Sequence, residues 1–358
     1  MNFKFSFLIV LWYNSLTMEI GFLEYKVRNG DSLTSIASRL GITGEDLKSF
    51  HNSHCQKMDR IWFDNLNEVK SVFVPLHIQT EKQKDQKRKE ILPHSQISDS
   101  FLAKAYKVSE TFESPFQTSL TVDYDVNLEV HKDRNTTHYK VSYSQDHFIT
   151  NGNLPDDKMS DLSISCMKSI MPIDFVLNEQ GKIIGFADHK KIITTFTDQR
   201  KDLDEFFIGE FSKTYLDTFE KNIAEEPFFL QQFQGTLLFQ TLFPKMDWFH
   251  KNADWTESFY FLQNSFSVQC HMEIEQKDED QDHITTVLTG NSTEFYSLQE
   301  LKTGTKYNVP IEDHVTGHII IEYTTHKKNK SLLQASASTK LWRGEEFIQQ
   351  HTITITQG

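Results

Sequence analysis

The sequence predicts an α+β protein: a small βααβ module, then a larger α+β domain with a curved antiparallel sheet and two or three helices. Three observations point there. A strand signal, a glycine turn and two short helical faces crowd into the first quarter of the chain. Alternating, strand-like segments recur at both ends of residues 101–358. Aromatic residues at helical spacing separate the two strand groups.

The elements follow in order. Tyr25 and Val27 alternate as on a half-buried strand. Gly30 permits a sharp turn, and Asp31 or Ser32 caps the helix after it. Leu33, Ile36, Ala37 and Leu40 fall at i, i+3, i+4 and i+7, which is one apolar helical face. Gly41 stands where a helix ends on a left-handed residue. Thr43 or Gly44 opens a second short helix, with Leu47 inward and His51 and Asn52 at its end. Val72, Phe73, Val74 and Pro75 form the closing strand. Residues 18–78 are therefore assigned to the module.

Residues 79–100 read as a charged linker, since residues 81–90 contain no apolar side chain and mix both signs. From residue 101 the pattern changes. Residues 118–130 and 136–144 alternate across a polar turn. Residues 173–186 read as a hairpin turning at 179–181. Phe207, Phe211, Tyr215, Phe219 and Ile223 recur every four residues, an aromatic stripe expected to face a core. Pro227 starts a further helix carrying Phe229, Phe233 and Leu237, and Pro244 ends the run. Strands resume over 258–274, 283–289, 317–325, 332–342 and 351–356.

Composition narrows the function classes. The chain of 358 residues is long enough for two or three domains. Its net charge of −13 argues against general nucleic-acid binding, which needs a basic surface. Cys55, Cys166 and Cys270 are odd in number and far apart, and read as free thiols. The apolar stretch at residues 5–13 is too short to span a bilayer, so no transmembrane helix is expected. Residues 1–17 read either as a signal-like segment or as a superfluous extension before a start at Met18.

Residues 25–37 run Y-K-V-R-N-G-D-S-L-T-S-I-A. With the elements above, they resemble the opening of a LysM module, the small βααβ domain that grips N-acetylglucosamine-containing glycans. The resemblance spans about residues 24–75. Most LysM modules follow the second helix with a loop of the type I-x-x-G-Q-x-L and then I-P. Here residues 60–64 read R-I-W-F-D, and residues 65–71 intervene before the last strand, so the Gly-Gln pair is missing and the loop is longer. The resemblance implies a groove between Gly30, Asp31, Ser32 and Leu33 on one side and Ile61, Trp62 and Phe63 on the other, with Trp62 stacking on a sugar ring.

Two readings follow. In the first, a non-enzymatic binding protein, bacterial and of the cell envelope or secreted, anchors to peptidoglycan or another glycan of this class. In the second, the module docks protein components of an envelope or secretion assembly, of the type VI or phage-tail-like kind. A start at Met18 would then make the chain cytoplasmic. The larger domain is distantly like envelope half-barrels that hold lipids or hydrophobic segments, in pattern alone and without a motif.

No catalytic signature is present. The sequence has no G-x-S-x-G elbow, no phosphate loop and no H-E-x-x-H. His314 and His318 are four apart, but at a strand entrance, where that spacing is not one helical turn. His51, His54 and Cys55 lack an evident fourth ligand and read as a solvated helix end. Glu210, Asp217 and Glu220 read as surface charge on a helix. Asn135 fits a glycosylation acceptor pattern. No cofactor, metal or catalytic residue is assigned.

Overall fold

The computed structural model describes residues 22–66, 69–75, 88–133, 136–307 and 314–358. The expectations for residues 1–17, the start at Met18, the end of the module over 76–78, the linker over 79–87 and Asn135 lie outside them. The chain divides into two compact units, Met1–Arg88 and Lys89–Gly358. Residues 89–100 thus belong with the larger unit and are not tether. Leu92 and Ile97 are buried, and the Ile97 N–H donates to the Glu179 carbonyl at 2.8 Å. Buried apolar side chains and a paired backbone remove the freedom a linker needs.

In the small unit, β1 (Phe22–Lys26) pairs antiparallel with β2 (Ser71–Pro75), Tyr25 standing opposite Val72. Between them lie α1 (Leu33–Leu40) and α2 (Gly44–His54). Ser32, not Asp31, is the cap of α1: its hydroxyl accepts from the Ser35 N–H, and the Ser35 hydroxyl accepts from the Ser32 N–H. Gly41 ends α1 at φ 73°, the left-handed conformation its lack of Cβ allows. Leu33, Ile36, Ala37, Leu47, Ile61, Leu66, Val72 and Val74 form one small core.

Among the described residues, the larger unit is built on an eleven-stranded, wholly antiparallel sheet. Its first meander is β3 (Ala105–Glu113), β4 (Leu120–Lys132), β5 (Tyr139–Thr150), β6 (Ile173–Leu177) and β7 (Ile183–Phe186). Its second is β8 (Trp255–Phe259), β9 (Val268–Asp278), β10 (His283–Ser292), β11 (Thr316–His326), β12 (Leu332–Arg343) and β13 (Glu346–Gln357). The meanders join where β13 pairs with β3, so the last strand closes onto the first and β7 and β8 are the outer edges. Each strand pairs with its chain neighbour, which short turns favour in antiparallel sheets.

The helices are α3 (Lys158–Ile170), α4 (His189–Phe206), α5 (Glu210–Ala224), α6 (Glu226–Gln234), α7 (Leu237–Leu242) and α8 (Leu298–Thr303). This is more than the two or three expected. The missed ones carry polar sequences: α4 buries only Ile192 and Phe196, so its apolar stripe is too thin to read. Of the aromatic stripe, Phe207 and Ile223 are buried and Tyr215 and Phe219 pack against the core, so one position departs. Phe207 follows α4, and Phe211 on α5 is exposed. A spacing of four advances 400°, so a strict four-residue series drifts off any helical face. The buried side of α5 runs through Ser212, Leu216 and Ile223.

The strand expected over 258–274 is two strands, β8 and β9, that pair with each other. Apolar residues such as Phe261, buried in the intervening segment, look like strand in the sequence. The strand β3 was not foreseen. Arg200 on α4 gathers Asp204, Asp217 and Glu220 at 2.7–3.0 Å, so two of the carboxylates read as free surface charge hold α4 against α5.

Candidate functional site

The turn between β1 and α1 is held by one carboxylate. Gly30 has φ 88°, a conformation that a side chain with Cβ rarely takes. The Asp31 Oδ2 accepts from the Arg28 N–H at 2.9 Å and from the Tyr25 hydroxyl at 3.0 Å. Arg39 from the last turn of α1 donates to Oδ1 and, at 3.2 Å, to the Tyr25 hydroxyl. The Arg28 N–H first, and the Arg39 guanidinium next, hold the Asp31 carboxyl below its usual value. Asp31 thus sets the shape of the turn. Its carboxylate is occupied by the protein's own donors.

The loop before β2 is pinned by the end of α2. Asn52 Nδ2 donates to the Ile61 carbonyl at 2.9 Å, and the Ile61 N–H donates to Asn52 Oδ1 at 2.8 Å. His51, 2% exposed, donates from Nε2 to the Asp59 carbonyl at 2.9 Å and accepts the Phe73 N–H on Nδ1 at 3.0 Å. One side chain fixes the loop and the next fixes the loop to β2. Lys48 adds an ion pair to Asp64 at 3.1 Å. His51 is therefore a buried structural group, not part of a solvated helix end. Its two nitrogens are both engaged, as is Nδ1 of His54 by the Phe50 carbonyl at 2.8 Å.

The seven residues expected to line a groove fall into three kinds. Leu33 and Ile61, 2% and 3% exposed, bury their side chains in one core and so tie the turn to the loop. Gly30, Asp31 and Ser32 shape the turn and cap. Trp62 and Phe63, 66% and 75% exposed, present bare rings to solvent beside the pinned loop. The backbone groups of Ile61 are spent on Asn52, and the neighbouring rings are left free. Asn52, Tyr25 and Arg39 are the supports the sequence reading missed. Their signal is weak, since polar residues at helix ends are ordinary.

The front of this unit matches one domain family. Residues 25–50 match the LysM domain model. The rest of the chain matches no family model. The LysM match covers the end of β1, the glycine turn, α1 and most of α2, and stops before the loop with Trp62. No curated protein matches the chain. Among solved structures, a LolA superfamily protein from Nitrosomonas europaea aligns with 76% of this chain and 90% of its own, at 7% identity and a TM-score of 0.21. A protein of unknown function from the DUF3598 family, from Nostoc punctiforme, aligns with 72% of this chain and 96% of its own, at 7% identity and a TM-score of 0.12. At these TM-scores neither likeness bears on what this chain does.

Outside the LysM module, Asp254, His271 and Glu273 are exposed with ligand atoms within 4.8 Å of one another. The His271 ring is 3.4 Å from Asp254, an ordinary surface pair. No described helix is long and apolar enough to cross a membrane.

Proposed function

We propose that this chain is a non-enzymatic binding protein of a bacterial cell envelope, anchored by its LysM module to peptidoglycan or another N-acetylglucosamine-containing glycan. The observation that carries the reading is the exposed Trp62–Phe63 pair, which follows a residue that Asn52 fixes. A sugar face stacks well on an exposed indole. The non-enzymatic part rests on the sequence, which carries none of the nucleophile, phosphate-loop or zinc motifs. The acidic charge of −13 speaks against a nucleic-acid partner.

Register shifts in the β4–β5, β6–β7, β11–β12 and β12–β13 pairs support a curved sheet in the larger unit, because bulges bend the strands that carry them.

Retention on insoluble chitin and on peptidoglycan tests the reading. The full chain is expected to bind, with little dependence on salt, since the contacts are neutral. Trp62→Ala is expected to weaken retention by about 1 kcal/mol. Gly30→Val is expected to abolish it, because a β-branched residue does not take the turn. Passage of the wild-type chain through both matrices at every salt concentration would end the glycan reading.

One observation favours a second reading, docking of a protein in an envelope or secretion assembly. The Gly-Gln element is absent, and the Ile61 backbone is closed to a sugar by Asn52. A protein partner needs only the exposed rings.

A further inference from the structure

The larger unit contains a cavity of about 490 Å³ that the LysM module does not share. Its floor is the inner face of β3, β4, β5, β12 and β13, and α5, α6 and α7 supply residues opposite. The volume lies within the range of small-molecule sites, roughly 300–1,000 Å³.

The floor carries a polar group where the pattern calls for an apolar one. On β3 the inward series is Tyr106, Val108, Glu110; on β13 it is Ile355, Ile353, His351. Glu110 and His351 thus extend two buried apolar rows into the cavity. His351 Nε2 lies 2.6 Å from Glu110 Oε2. The Tyr124 hydroxyl donates to Glu110 Oε1. Burial, and then the charge of Glu110, push the Tyr124 phenol well above its ordinary range, so it remains a donor. Phe112 stacks on the imidazole, centroids 4.1 Å apart.

Both carboxylate oxygens of Glu110 are therefore occupied, and the imidazole is held in plane. In the neutral tautomer that donates Nε2–H to Glu110, Nδ1 of His351 carries a lone pair. Among the described residues the only hydrogen bond of that ring is the one to Glu110. An imidazole oriented by a carboxylate and open on its far side suits a ligand contact at the cavity it lines. The remaining walls are rich in rings packed edge to face, Tyr143 on Phe239 at 5.0 Å and Phe229 on Phe233 at 5.1 Å. A planar ring enters such a lattice by making the contacts its neighbours already make.

We propose that this cavity binds a neutral, ring-bearing hydroxy compound of the phenol or aryl-alcohol class, its O–H donating to Nδ1 of His351. The chain of bonds then runs from ligand hydroxyl to His351 to Glu110, with Tyr124 holding the far oxygen. A carboxylate ligand is disfavoured, because it would bring a second negative charge beside Glu110 in a poorly solvated site. The proposal stands apart from glycan binding by the LysM module.

The test uses the full-length chain and three probes, followed by calorimetry and by the fluorescence of the naphthyl ring. 2-Naphthol offers the donor, 2-methoxynaphthalene keeps the rings without it, and decanoate brings a chain and a charge. The wild-type chain is expected to prefer 2-naphthol over the methyl ether at least tenfold. His351→Phe is expected to bring both to equal affinity, with binding of the ether kept as proof of an intact cavity. Glu110→Gln, which preserves shape, is expected to reduce the preference at least threefold, and it decides the matter if the His351 variant does not fold. Equal affinity of the two naphthyl probes for the wild-type chain overturns the proposal. So does tighter binding of decanoate, or no binding of any probe, or a preference unchanged in Glu110→Gln.

Discussion

Asn52 and Ile61 form a closed pair of hydrogen bonds, amide to backbone in both directions, at 2.9 and 2.8 Å. The pair mimics one rung of a β-ladder. It fixes the residue directly before Trp62 without using a second strand. The aim of the exposed rings in the LysM module thus depends on a side chain nine residues away. Asn52→Ala leaves both Ile61 groups without a partner, at a cost of about 1–3 kcal/mol. We expect a lower melting temperature for the small unit and weaker chitin retention, with the larger unit unaffected. Retention at the wild-type level would show that the loop holds itself.

Acid should loosen the same unit at the turn before α1. The folded-state pKa of Asp31 is depressed, so its contribution is complete above the unfolded value of 3.8 and is lost as the pH falls through the folded one. The stability of the small unit is expected to fall below about pH 4. Asp31→Asn should start from a lower stability and show a shallower fall. Calorimetric scans from pH 6 to pH 2.5 measure this, and parallel pH curves for the two proteins would refute it.

In the larger unit, the ring of Phe261 lies over Gly317. A Cβ on Gly317 would meet the ring carbons at 2.6–2.9 Å, closer than real contacts allow. The ring lines the cavity wall on one side and covers the β11 backbone on the other. Gly317→Ala is expected to destabilise this unit by about 1–3 kcal/mol through overpacking. Phe261→Ala combined with Gly317→Ala should cost less than the two changes summed, because the clash is gone. A double-mutant cycle reads that coupling directly, and strict additivity would show that the ring moves aside freely.

Leu33→Asp should unfold the small unit alone. Leu33 is 2% exposed in a core of only a few apolar side chains, and an unpaired carboxylate there costs several kcal/mol. A domain this small has little stability to lose. Calorimetry should show one transition vanish and one persist. Loss of both would mean that the two units do not fold independently.

Some of this was legible in the chain itself. The turn at Gly30, the cap, the apolar face of α1 and the left-handed stop at Gly41 each depend on neighbours within four residues. Local conformational preference and helical period therefore spell them out. The β6–β7 hairpin reads equally well, because Gly181, at φ 84°, sits between two short alternating runs. The α4 helix did not, since packing rather than pattern holds its polar sequence in place. The closure of β13 onto β3 links residues more than two hundred positions apart, and nothing in either strand names the other.

The same division holds for the sites. The residues of the LysM turn could be named from spacing, but not which of them would be free. Only the fold shows that Asp31 is occupied, that Leu33 and Ile61 are core, and that Trp62 and Phe63 are bare. Glu110, Tyr124 and His351 carry no motif, because three strands bring them together. Sequence determines what near neighbours decide, through backbone conformation and period. Tertiary structure decides which polar groups meet across strands, because that depends on register and on which faces the core leaves open.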